Sequence, residues 1–247
     1  MRLIIKFNPL SDCKYDAIGK YDIQGFIYSL LKDTEFKNYH DIKGFKFFTF
    51  SNIFPVCDFK QDNLKTIIIS SPSSAFIKVL YYQLSNLEIF RLNKYYMEKY
   101  KVKLIKNNKC SNSIITGTPI VLFENNYENR YYSFNQKLDF NFFFNRLKEN
   151  ALKKYTAYTQ DEINLESDLF DSFEFNREVS MRIIMKNQTF IIIGSLWKVL
   201  EKNIAREDRK FYNFLFDCGL GEKNSLGMGF INNRRWKRYV KWYVWIR

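Results

Sequence analysis

Histidine is almost missing from this sequence: among 247 residues, only His40 carries an imidazole. Cysteine is scarce as well. Cys13, Cys57, Cys110 and Cys218 lie far apart with no Cys-x-x-Cys pair, so no zinc cluster of soft ligands and no metal site is expected. Isolated cysteines in a chain of this length need no disulfide framework, and the chain reads as reduced and cytoplasmic. Long apolar runs are also lacking. The segment from Phe190 to Trp197 is broken by Gly194 and Ser195 and cannot span a bilayer, so no membrane partner is expected. The apolar run before Lys6 is too short for a signal peptide.

Acids are outnumbered: 26 Asp and Glu face 39 Lys and Arg, a net charge of +13, while aromatics reach 19%. Excess positive charge attracts a polyanion and aromatic faces stack on bases, so this balance points to nucleic acid, single strands in particular. A genome biased towards Lys, Asn, Ile, Phe and Tyr would leave the same mark. With 46% hydrophobic and 26% charged residues the chain is globular, and its length suits one or two domains.

Periodicity orders the elements. Leu3 to Phe7 reads as a strand. Ile23, Phe26, Ile27, Leu30 and Leu31 form one helical face, bordered by a stripe of Tyr21, Gln24 and Tyr28. Strands are expected over Phe45–Phe50 and Lys65–Ile69, then a helix opened by Ser71 as cap with Pro72 in its first position. A strand over Lys99–Ile105 closes the set. After Asn107-Asn108 the order repeats, with a strand from Ile114 broken near Gly117 and Pro119, and a helix carrying Phe140, Phe144, Leu147 and Ala151. Val179–Met185 and Thr189–Ile193 suggest a hairpin across residues 186–188, followed by a helix over Ala205–Phe216 and a strand over Leu226–Ile231. This predicts an α+β protein of two tandem ferredoxin-like (βαββαβ) domains, residues 1–110 and 111–247.

Two stretches stand apart. Six acids and no base lie between Asp161 and Glu174; a paired-carboxylate site is conceivable, and a solvated loop facing away from a polyanion is the expectation. From Lys198 to Arg247 there are 12 Lys and Arg against 5 Asp and Glu, and the last residues alternate apolar with aromatic or basic. That tail reads either as an edge strand guarded by charge or as an RNA contact.

The segment Gly219 to Gly229 holds four of the nine glycines. Such a run can expose N–H groups that hold phosphates. It is no nucleotide loop: Asn224 stands where the dinucleotide fingerprint needs a small residue, and no glycine precedes a Lys-Ser or Lys-Thr pair. No cofactor is implied.

Gly219-Leu-Gly-Glu-Lys-Asn-Ser-Leu-Gly-Met-Gly229 resembles the glycine-rich loop of the CRISPR repeat-processing endoribonucleases of the RAMP superfamily, which follows the last helix of the second ferredoxin-like domain. Gln24-Gly-Phe-Ile-Tyr28 and Tyr39-His-Asp-Ile-Lys-Gly-Phe-Lys-Phe-Phe-Thr-Phe-Ser51 resemble the segments in which one branch places a catalytic tyrosine, histidine and lysine. By motif these fall on Tyr28, His40 and Lys46. The resemblance implies a metal-independent endoribonuclease that cuts CRISPR repeat RNA, single-stranded or hairpin, through attack of the RNA's own 2′-hydroxyl. It implies RNA contact at Gly219, Gly221, Lys223, Asn224, Ser225, Gly227 and Gly229; Arg234 and Arg235, where the basic tail begins, lie outside the resemblance and are candidate RNA contacts by their charge.

An imidazole, with an unperturbed pKa of ~6.5, suits either proton role, and a phenol near ~10 suits a donor better than a base. The resemblance leaves open which of His40 and Tyr28 is the base; Lys46 would supply charge to the phosphate. The alternative is a non-cleaving superfamily relative that holds guide RNA among effector-complex proteins. A homodimer is left open.

Overall fold

The computed structural model describes residues 1–247 except 107, 108, 126, 129, 186, 187 and 235–247. The first sheet is built from β1 (Arg2–Pro9), β2 (Thr49–Phe50), β3 (Lys65–Ser70), β4 (Ile89–Leu92) and β5 (Tyr95–Ile105) in the order β2-β3-β1-β5-β4. Leu3, Ile5 and Phe7 alternate inward from β1 and meet Ile67, Ile69 and Met97 from its two neighbours. Helices α1 (Lys20–Ser29) and α2 (Ser74–Ser85) cover that apolar face. Asp22 starts α1 by accepting the Gly19 N–H at 2.8 Å.

Three local expectations change. The cap of α2 is Ser73, whose Oγ accepts the Phe76 N–H at 3.2 Å. Ser71 instead accepts the Ser73 N–H and donates its hydroxyl to the Phe47 carbonyl at 2.7 Å. Only Thr49 and Phe50 of the expected Phe45–Phe50 strand are extended in the sheet. Phe47 has φ 48°, and the turn sends its ring across to Tyr158 and Phe214 of the second half, 5.1 and 6.4 Å away. The closing strand begins earlier than expected, and β4 pairs beside it as an extra edge.

The second sheet holds β6 (Ser113–Thr116), β7 (Ser172–Met185), β8 (Gln188–Glu201) and β9 (Ile231–Asn233) in the order β7-β8-β6-β9. With α3 (Phe140–Thr159) and α4 (Arg209–Cys218) it repeats the connectivity of the first half, so the chain is two tandem ferredoxin-like folds. Its core gathers around Trp197, whose ring lies within 5.3 Å of Phe143, Phe144 and Phe175. The hairpin of β7 and β8 is longer than its apolar segments suggested, and residues 186 and 187 of its turn lie outside the described residues. Leu226 belongs to a short 3-10 turn, Asn224–Leu226, rather than to the last strand, because Gly227 and Gly229 bend the chain at φ 76° and 66°. The tail after Arg234, including Arg235, also lies outside the described residues.

The acid run joins α3 to β7. Its carboxylates are exposed while Leu165, Leu169 and Phe170 turn inward, and Asp171 takes the buried Lys202 ammonium at 2.6 Å. Across the two halves, the Arg2 guanidinium donates to the carbonyls of Phe216 and Ile231 at 3.0 and 2.6 Å, and lies 4.0 Å from the Phe216 ring centre. This lock, with Thr49 Oγ1 donating to the Met228 carbonyl at 2.9 Å, fixes the glycine-rich loop against the first half.

Candidate active site

The glycine-rich loop is shaped from inside. A side chain at Gly227 would enter the Phe50 ring, and one at Gly229 would collide with the Leu220 carbonyl. Both positions also sit at positive φ, where L side chains are strained. These glycines therefore answer to the protein's own packing. Lys154, buried on α3, sends its ammonium into the loop and donates to Gly219 O, Gly221 O and Asn224 Oδ1 at 2.7, 2.9 and 2.9 Å. Asn224 Nδ2 in turn donates to the carbonyls of Leu220 and Met228 at 3.0 and 3.1 Å. With Lys154 and Asn224 holding the interior, Lys223 is exposed and Ser225 faces α1.

Gln24 Nε2 donates to the Ser225 carbonyl at 2.9 Å, one helical turn before Tyr28, whose hydroxyl lies near the Ser225 side chain. Burial raises the Tyr28 phenol above its ordinary pKa, and the Ser225 side chain opposes that shift. The Tyr28 ring stands edge-on to His40, centroids 5.0 Å apart at 82°. His40 closes a 3-10 turn (Lys37–His40), and its Nδ1 lies 2.8 Å from Asp41 Oδ1. A carboxylate only accepts, so Nδ1 carries the proton in this pair, and in the neutral ring Nε2 is the acceptor. The imidazole is 66% exposed, open to a substrate.

Lys46 is in the same loop but turned inward. Its ammonium donates to the carbonyls of Tyr39, His40 and Ile42, the first two at 3.0 and 2.8 Å. Tyr39 returns a hydroxyl bond to the Lys46 carbonyl. Desolvation lowers the Lys46 pKa, and nearby Asp41 opposes the shift. The structure thus brings Tyr28, His40 and Ser225 together and ties Lys46 beneath the His40 turn. Arg234 follows β9 and lies 3.8 Å from Glu201.

Gln24 and Lys154 were not singled out as site residues from the sequence. Gln24 carried a signal, since it shares the border stripe of Tyr28. Lys154 had a fainter one: it sits on the core-facing side of α3 in line with Phe143, Leu147 and Ala151, where a lysine must find acceptors.

Two ferredoxin-like folds are joined so that a glycine-rich loop of the second packs on the first helix of the first. The family described as "CRISPR associated protein Cas6, C-terminal" matches residues 98–233. The "CRISPR-associated endoribonuclease Cas6 2" of Methanocaldococcus jannaschii is 46% identical over 239 residues, covering 94% of this chain and 99% of the relative. Among solved structures, "An RAMP protein binding different RNA substrates" superposes with a TM-score of 0.72 at 18% identity, over 95% of this chain and 100% of that one. The structure titled "Characterization of a Cas6-related gene from Pyrococcus furiosus" gives 0.71 at 21%, over 96% and 99%. The chain belongs to the Cas6 family.

Proposed function

We propose that this protein is an endoribonuclease that cuts CRISPR repeat RNA without a metal ion, using the 2′-hydroxyl next to the scissile phosphate as nucleophile. The observation that carries this reading is the pairing of the Tyr28 phenol with the open His40 imidazole beside Ser225 of the glycine-rich loop. His40 Nε2, left as an acceptor by the Asp41 bond, takes the 2′ proton. The 2′ oxygen bonds to phosphorus and the bond from phosphorus to the 5′ oxygen breaks. Tyr28, kept protonated by burial, donates towards the departing 5′ oxygen. The products are a 2′,3′-cyclic phosphate and a 5′-hydroxyl. Lys46 fixes the His40 turn through its three carbonyl bonds and adds positive field from below. Exposed Lys223, with Ser225 and the loop around them, supplies the contact to the RNA backbone.

Replacing the one ribose upstream of the scissile phosphate with deoxyribose tests the nucleophile. The phosphate charges that dominate binding remain. Such an RNA is expected to bind with near-normal affinity, to compete with the all-ribose substrate, and to stay uncut at that position in EDTA or in magnesium. Cleavage of the deoxy RNA there, or loss of all-ribose cleavage on chelation, would replace this mechanism by one that uses water or a metal. Tight binding of all-ribose repeat RNA with no cleavage would mark a holder of guide RNA instead.

A further inference from the structure

We propose that Lys20 is a second RNA anchor: it holds a backbone phosphate away from the scissile one. This rests on the reading that Tyr28 and His40 form the cleavage site.

Lys20, Gln24 and Tyr28 recur every fourth residue on α1, so they lie on one stripe that covers about 12 Å along the helix axis. Gln24, in the middle, is bonded to Ser225 of the glycine-rich loop. The loop therefore lies between Tyr28 and Lys20, and a phosphate held at Lys20 is a different one from the scissile phosphate at Tyr28.

The ammonium is short of partners. Lys20 Nζ donates to one carbonyl, Ser51 O at 3.2 Å, and lies 5.0 Å from the centre of the Phe50 ring. No carboxylate pairs with it among the described residues. The other inward-turned lysines are each better satisfied: Lys154 and Lys46 by three oxygen acceptors, and Lys65 by the carbonyls of Pro55 and Cys57. Desolvation pulls the Lys20 pKa from 10.5 down to about 7, so the fold holds this charge at a cost in stability. An ammonium has three donors, and only one of them meets a protein oxygen among the described residues.

Lys20 also borders open space. Lys20 lines a cleft of about 970 Å³ between the start of α1 and strands β7 and β8 of the second half. Asn52, Asn176 and Arg182 stand on its walls, and Asp16 and Asp22 also line it without forming an ion pair with Lys20 among the described residues. A polyanion entering this cleft meets a lysine with no carboxylate paired to it among the described residues, and a phosphate beside it favours the charged form.

The test uses the full chain and its repeat RNA with deoxyribose at the scissile ribose. Affinity, its salt dependence and thermal stability are measured for wild type, Lys20→Met and Lys20→Arg. Lys20→Met is expected to bind about tenfold more weakly, to flatten the log–log salt slope by roughly 0.7, and to melt at the same temperature or higher. Lys20→Arg, which keeps the charge, should restore most of the affinity. Methylphosphonate placed at single phosphates should reveal one position, distinct from the scissile one, where neutralisation weakens wild type but not Lys20→Met. Unchanged affinity and salt slope in Lys20→Met would overturn the proposal. So would a fall in melting temperature that accompanies the lost binding and that Lys20→Arg fails to rescue, since that pattern marks a structural lysine. All-ribose cleavage by wild type is scored alongside. If wild type cuts and Lys20→Met binds normally, only the Lys20 proposal fails; if wild type binds and never cuts, only the nuclease reading fails.

Discussion

The ammonium of Lys154 and the side-chain oxygen of Asn224 meet at 2.9 Å, joining the C-terminal part of α3 to the glycine-rich loop across 70 residues of sequence. Two backbone carbonyls of the same loop share that ammonium, so one buried lysine orders the segment that touches Tyr28 through Ser225. Lys154→Met would leave three buried acceptors without a donor. A loss of about 2–4 kcal/mol in urea unfolding is expected, with RNA cleavage reduced as well. A variant as stable as wild type would show that the loop holds its shape without Lys154.

His40→Ala should separate chemistry from binding. Single-turnover cleavage is expected to drop by ~10² to 10⁴, with affinity for the deoxy RNA within a few-fold of wild type. Near-normal cleavage would remove His40 from the mechanism.

The Tyr28 phenol is raised above its ordinary pKa by burial, so it stays protonated through the neutral and mildly alkaline range. Tyr28→Phe should therefore lower the cleavage rate without altering the shape of the pH–rate profile between about pH 6 and 9. An alkaline limb in that window that disappears in Tyr28→Phe would show that the phenol ionises there and acts as the base.

Lys20 gives a second pH signature. Its folded-state pKa, lowered to about 7, means that the ammonium is charged below neutrality and is lost as pH rises through that value. RNA favours the charged form, so affinity should be greatest below pH 7 and decline above it, and Lys20→Arg should flatten the decline. Asp16, Asp22, Tyr15, Tyr21 and Arg182 line the same cleft, and the Arg variant isolates Lys20 from them. Equal pH dependence in wild type and Lys20→Arg would assign the titration elsewhere.

Two glycines should respond in opposite directions. Gly25 is exposed within α1 and nothing stands where its side chain would go, so Gly25→Ala should stabilise the fold by about 0.5–1 kcal/mol. Gly229→Ala meets the Leu220 carbonyl at positive φ and should cost about 2 kcal/mol or more. Thermal denaturation compares the two, and a Gly229→Ala protein of wild-type stability would mean that the loop can rearrange.

The sequence by itself determined the repeated order of strands and helices, because alternation in β1 and the helical spacing of Ile23, Phe26 and Ile27 report a buried face directly. It also marked the glycine-rich loop, and it marked His40 through its rarity and its motif. The break at Phe47, the true cap at Ser73 and the late start of β9 escaped it. Each depends on a partner distant in sequence or on a backbone angle: Phe214 for the Phe47 ring, Phe47 O for Ser71, positive φ at Gly227 and Gly229. The site divides in the same way. The motif resemblance named Tyr28, His40 and Lys46, but only the packing of one half on the other decided that Ser225 meets Gln24 and Tyr28, and only the folding within each half decided that Lys46 spends its donors on carbonyls and that Lys154 orders the loop. Periodicity records which face of an element leaves water. Which distant acceptor a buried donor finds is a property of the folded chain, set when two cores are locked together by contacts such as Arg2 on Phe216.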